Sequence, residues 1–147
     1  MFALDPAFST TSAALRSLDL CQARLQLDAR FPWLVLIPQL EGAREVDDLT
    51  AAQGMRLLGD VAAACGAVRA MADALARPVE KLNVAALGNV TAQLHIHIVG
   101  RRADDDAWPG PVWGLSLPSA YSPAALETAR AAALSALAGT PRRSRTG

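Results

Sequence analysis

Two histidines, His95 and His97, are the residues best placed for chemistry, and they are the only imidazoles in the 147-residue chain. They stand two apart in Gln93-Leu94-His95-Ile96-His97-Ile98-Val99, where polar and apolar residues alternate strictly. Such alternation predicts a strand, which puts the two rings on one face with their Cα atoms about 6.8 Å apart. Gln93 falls in the same row, and Leu94, Ile96 and Ile98 form the opposite, apolar row. Three readings of an amide–imidazole–imidazole row are open: a solvated sheet face, a metal site, or nucleophilic catalysis on phosphorus. The metal reading needs a third ligand, and with no further histidine and no cysteine nearby a loop Asp or Glu would have to serve. Neutral imidazole is a good nucleophile, and its ordinary pKa of about 6.5 leaves it mostly neutral at pH 7.

The elements that must position this row follow from periodicity and breakers. Asp5-Pro6 reads as a helix cap followed by proline, so a short helix or turn is expected within residues 1–17. Cys21, Ala23, Leu25 and Leu27 alternate with Gln22, Arg24 and Gln26, which predicts a half-buried strand, and 28–32 make a turn. Trp33-Leu34-Val35-Leu36-Ile37 is a strand covered on both faces and stopped by Pro38. After a polar loop over 39–48, Thr50 and Gln53 form a capping box opening the longest helix, about 50–76. Its expected stripe is Leu58, Val61, Cys65, Val68, Ala72 and Leu75, and Gly54, Gly59 and Gly66 would let it approach the sheet closely. Strands over 82–86 and 93–99 flank the Gly88-Asn89 turn. Ser122-Pro123 caps a last helix carrying Leu126, Leu134 and Leu137 and ended by Gly139. The order predicts an α+β fold: an antiparallel sheet with the long helix across one face.

Bulk properties fit one domain over 1–140, with a disordered tail over 141–147. Hydrophobic residues make up 52% and charged residues 19%, and fourteen basic residues balance fourteen acidic ones. That balance argues against a nucleic-acid or membrane partner and requires any phosphate to be held locally. Cys21 and Cys65 do not make a disulfide framework. The start of the chain lacks the pattern of a signal peptide and no apolar run is long enough to span a membrane, so a cytoplasmic location is expected. Asp104-Asp105-Asp106 reads as a solvated loop, and no role is assigned to Arg44 and Glu45.

The run from Gly88 through Thr91 to Val99 resembles the signature strand of the histidine triad (HIT) family. That signature is histidine–apolar–histidine–apolar–histidine–apolar–apolar, and here it reads Gln–Leu–His–Ile–His–Ile–Val. Trp108-Pro109-Gly110 is similar to the family's closing Trp-Pro segment. Trp33-Leu34-Val35-Leu36-Ile37-Pro38 looks like its strand ending in proline, and the long helix falls between as it should. The resemblance covers about residues 20–114. It implies a HIT-like antiparallel sheet with one long helix packed on it and a C-terminal helix. It also implies a nucleotide hydrolase or nucleotidyl transferase that acts at an α-phosphate through a nucleotidyl-histidine.

Residue by residue, the resemblance makes His95 the nucleophile and His97 the group that binds phosphate oxygen and helps protonate the leaving group. Gln93 takes the place of the first triad histidine as a hydrogen-bonding member of the catalytic row, and Gln93→His is expected to keep or raise activity. Asp28 falls where the family binds ribose, and Asn83 and Asn89 where it places polar residues near the leaving group and phosphate, turn chemistry being the other reading of each; Thr91 either caps a turn or touches phosphate. The family's separate upstream histidine aligns with Trp33. Trp108 and Trp113 could cover the site or stack on a base. No metal or other cofactor is implied. The expected partners are a nucleotide substrate and a second copy of the chain, the apolar helix stripe and the tryptophans supplying material for a homodimer.

Overall fold

The computed structural model describes residues 1–140, so the tail expected over 141–147 lies outside the described residues. In chain order the elements are α1 (Pro6–Thr11), β1 (Ser12–Ser17), β2 (Cys21–Gln26), β3 (Trp33–Pro38), a 3₁₀ turn (Val46–Asp48), α2 (Ala51–Ala74), β4 (Lys81–Ala85), β5 (Ile96–Arg101) and α3 (Pro123–Leu137). The five strands form one antiparallel sheet in the order β1-β2-β3-β5-β4. The fold is the expected α+β sheet with a long helix across one face, and α3 packs against α2 on that same side.

The caps form where the sequence placed them. Asp5 accepts from Ala7 N at 2.9 Å with Pro6 next in line, Thr50 and Gln53 close a capping box, and Ser122 accepts from Ala125 N. Each satisfies backbone donors that the first turn leaves without a helical partner.

Packing divides at the sheet. One face carries an aliphatic core in which Leu25, Leu34, Leu36, Ile96 and Ile98 meet Ala64, Val68 and Met71 of α2 and Ala133 and Leu137 of α3. The other carries a smaller core of Phe8, Phe31, Trp33, Val35, Ile37, Val99 and Val112. The His97 face of β5, and the His95 ring just before the strand, are therefore covered, not solvated.

Four expectations are corrected. β1 is a strand that the sequence reading did not separate from the initial helix or turn. Its Ala-rich sequence has no alternation, and it is held by pairing with β2 through a register shift between Ala14 and Arg16. The buried face of α2 is rotated by about one residue: Leu57 is buried whereas Leu58 is 62% exposed. The cause is Asp60, whose carboxylate turns inward and accepts from the backbone N–H groups of Asp19, Leu20 and Cys21 at 3.2, 2.9 and 2.8 Å. A carboxylate bonded three times by backbone donors can be buried without penalty from lost water contacts. The α2 glycines face open space, so they bring nothing close; the near approach is at Gly100 of β5. Finally, Gln93 and His95 precede β5, which starts at Ile96. Leu94 N donates to Ala43 O at 3.0 Å instead of to β3, and β3 pairing ends at Leu36 with Ile96. No helix of the described residues is long and apolar enough to cross a membrane.

Candidate active site

β5 lies between β3 and β4, and His97 is paired with Val35 on one side and Ala85 on the other. The pleat sends His97 to the face shared with Trp33. The Trp33 indole donates from Nε1 to His97 Nδ1 at 3.1 Å. An indole nitrogen can only donate, so Nδ1 of His97 is the acceptor and the neutral ring carries its proton on Nε2. Burial pushes the His97 pKa down to about 4, and neighbouring His95 adds to this, against a smaller opposing effect of a hydrogen bond with the Leu87 backbone. His97 is therefore neutral at physiological pH.

His95 has the opposite tautomer. Its Nδ1 lies 2.7 Å from the Gln93 carbonyl oxygen, which can only accept, so Nδ1 holds the proton and Nε2 bears the lone pair. The two rings are edge to face, with centroids 4.8 Å apart. Phe8 sets its ring 5.0 Å from that of His95, and Trp33 and Trp113 stand 5.4 and 5.2 Å from His97. A ring nitrogen with its lone pair free of the Gln93 contact thus adjoins a neutral imidazole N–H within aromatic walls. Only 5% of His95 and 8% of His97 is exposed.

The turn before β5 closes on this pair. A Cβ on Gly88 would lie 3.0 Å from Thr91 O and 3.6 Å from His95 Cε1. Glycine at 88 is what lets the turn backbone reach the ring. Asn89 is exposed and Thr91 half-buried on the same turn.

The remaining expected residues sit apart from the rings. Asn83 Oδ1 accepts from Arg101 Nη1 at 2.7 Å. Asp28 is buried, and both of its oxygens accept from Arg30, with Ser119 N adding a contact to Oδ1. Burial raises the Asp28 pKa, but the Arg30 guanidinium and backbone N–H groups outweigh it and hold the carboxyl below its usual range. Gln93 does not face His97 along a strand row: its amide binds Asp5 N and Ala3 O.

Sequence reasoning missed two residues. Trp33 appeared only as a missing histidine, yet it sets the His97 tautomer; its donor sense was readable from residue type, but not its diagonal approach across the sheet. Asp105 was assigned to a solvated loop. Its side chain is covered and accepts from Arg101 Nε and Nη2 at 2.7 and 3.0 Å, while Arg101 also binds Asn83 and Gly110 O and lies over the rings of Phe31 and Trp108. This cluster pins the closing Trp-Pro segment to β5. Trp108 stays 43% exposed. Arg44 and Glu45 give their backbone N–H groups to Asp48 on the surface.

Cavities of about 450, 270 and 300 Å³ open near Met1 and Glu41, near Gly42 and Gln53, and near Arg56 and Thr140. Neither histidine lines any of these three. No group of three His, Cys, Asp or Glu among the described residues could hold a metal ion.

Comparison with known proteins bears on this geometry. Residues 8–104 match the profile of the HIT domain. A histidine triad protein from Sinorhizobium meliloti 1021 is 34% identical, superposes with a TM-score of 0.84, and the match covers 93% of this chain and 98% of that one. One from Marinobacter aquaeolei VT8 is 35% identical with a TM-score of 0.84, over 95% and 98% of the two chains. A third, from Bradyrhizobium japonicum, is 32% identical with a TM-score of 0.83, over 90% and 95%. No curated protein matches the sequence closely enough to count as a relative.

Proposed function

The chain belongs to the HIT domain family, whose members are generally nucleotide-binding hydrolases or transferases, and from that premise we propose that it cleaves or transfers nucleoside phosphates through a covalent intermediate on His95. In this reading the segment Gln93–Val99 is the family signature with glutamine in its first place. The observation that carries the proposal is the pair of opposed tautomers. His95 Nε2 attacks the α-phosphorus, an N–P bond forms, and the bond to the leaving group breaks, a phosphate oxygen departing as the anion and a phosphoramidate nitrogen as the amine with a proton taken from solvent. Positive charge then develops on the ring and is met by the Gln93 carbonyl at Nδ1, 2.7 Å away. His97 Nε2–H exchanges its bond with the Leu87 backbone for one to a phosphate oxygen. Its low pKa suits a fixed neutral donor better than a proton-delivering acid. Water or another acceptor next attacks phosphorus, giving up its proton to solvent, and His95 is released neutral with its Nδ1 proton in place.

The backbone of the 88–92 turn, with Asn89 and Thr91, is proposed to hold the phosphates. Asn83 acts through Arg101, and Asp28 reaches ribose hydroxyls only if they replace Arg30 on its carboxylate. The substrate class proposed is a dinucleoside polyphosphate or nucleoside phosphoramidate.

The low exposure of both rings favours one further reading, a nucleotide-binding module with little turnover. A panel of these two substrate classes separates the two. The catalytic reading expects turnover by the wild-type protein, a trapped adduct one nucleoside monophosphate heavier on His95, and loss of several orders of magnitude in rate for His95→Ala. A nucleotide-induced thermal shift should persist in that variant. Wild-type turnover in His95→Ala would end the covalent reading; a thermal shift without turnover in either protein would establish the binding module.

A further inference from the structure

The side chain of Gln93 joins two parts of the chain that lie about ninety positions apart. Its Nε2 donates to Ala3 O at 2.8 Å, and its Oε1 accepts from Asp5 N at 2.9 Å. This is a two-point clasp on a backbone carbonyl and a backbone N–H. An amide presents its donor and acceptor side by side, pointing the same way; the two nitrogens of an imidazole diverge. Glutamine suits this task and histidine does not.

What the clasp holds is α1. Asp5 caps that helix, Pro6 starts it, and Phe8 projects from it, 4% exposed, onto the His95 ring. The far end of the helix is fastened too: Phe8 O accepts from Ser12 Oγ and Arg24 Nη2 at 2.6 and 3.3 Å. Meanwhile the backbone carbonyl of the same Gln93 accepts the hydrogen bond from His95 Nδ1–H. One residue therefore constrains the ring from two sides, at its nitrogen through its own backbone and against Phe8 through its side chain.

We propose that Gln93 is a positioning residue that clasps the N-terminal segment over the nucleophile, making Phe8 a wall of the catalytic site. It aims His95 and does not touch phosphate. The inference rests on the proposed function of His95, and it reverses the expectation that Gln93→His keeps or raises activity.

The test uses the full chain with Gln93→Ala, Gln93→His, Phe8→Leu and the double variant Gln93→Ala/Phe8→Leu. Phe8→Leu keeps an apolar side chain in the core, so folding is retained. Amide hydrogen exchange is read first, and it needs no turnover: Gln93→Ala should speed exchange at Asp5 and across 7–11, while β2 and β3 stay protected. Turnover is read second, on whichever phosphoramidate or dinucleoside polyphosphate the wild-type protein accepts. Gln93→Ala and Gln93→His should each lower kcat about ten-fold with KM nearly unchanged, the mark of a misaimed nucleophile. The double variant should lose no more than the worse single one, since both act through one contact. Unchanged exchange at Asp5, a loss confined to KM, or effects that multiply would each overturn the proposal. Wild-type protein with no turnover at all would defeat the proposed function instead, leaving the clasp to be judged by exchange.

Discussion

At the scale of single residues, His97 is the most perturbed group of the site and makes stability depend on pH. An unfolded imidazole takes its proton near pH 6.5, whereas the folded ring resists until about pH 4. Below 6.5 the unfolded chain binds more protons, so stability is fully present above that pH and falls away as pH drops towards 4. The contribution is roughly 3 kcal/mol. Denaturant midpoints measured between pH 7 and 4 should drop more steeply for the wild type than for His97→Gln, which keeps an acceptor for Trp33 but cannot titrate. Equal slopes would show that His97 is not held neutral. Residue types alone pointed to His95 and His97, because two imidazoles two apart in an alternating run is a rare pattern. They did not point to Trp33. A tryptophan in a buried strand reads as packing, and only the diagonal meeting of β3 with β5 turns its N–H towards His97.

At the scale of elements, the join between α2 and the sheet depends on one missing side chain. A Cβ on Gly100 would fall 2.6 Å from Val79 Cγ2, 2.7 Å from Pro32 Cγ and 3.1 Å from Val68 Cγ1. Gly100→Ala should therefore cost about 1–3 kcal/mol through forced shifts. Gly54→Ala, with nothing within 4 Å of the new carbon, should instead gain about 0.5–1 kcal/mol by helix propensity. Urea titrations of the two variants should move in opposite directions, and a stabilising Gly100→Ala would contradict the tight contact. The sequence showed where α2 and α3 begin, because a capping serine or threonine acts locally. It did not show which face of α2 is buried, since inward-facing Asp60 looks like a surface residue until the β1–β2 turn it caps is in place. β1 was illegible for a related reason: Ser12–Ser17 has no strand pattern of its own and is specified by its partner β2.

At the scale of the whole molecule, the apolar material that the sequence reading assigned to a dimer is mostly used internally, the α2 stripe in one core and Trp33 and Trp113 in the other. Of the apolar side chains left exposed, Met55, Leu58 and Leu117 are scattered elsewhere, whereas Val84 at 48%, Leu87 at 38% and Val90 at 100% lie together along the β4 edge and the turn after it. An edge strand flanked by exposed apolar side chains is a ready pairing surface. We propose a two-fold homodimer through this edge. Light scattering at micromolar concentration should give twice the chain mass, and Val84→Lys should shift it towards one; a monomeric wild type would refute the assembly. The division of the two cores by the sheet has an optical consequence. All three tryptophans and all three phenylalanines belong to the side of the histidines, Trp108 through its stack on Arg101, while the other side holds both long helices and only Tyr121 among the aromatic residues. Indole fluorescence thus reports on the histidine side alone, near-ultraviolet dichroism chiefly on it with Tyr121 the one signal from across the sheet, and far-ultraviolet helical dichroism chiefly on the other side, so the molecule's two layers carry separate colours by which their melting can be followed one against the other.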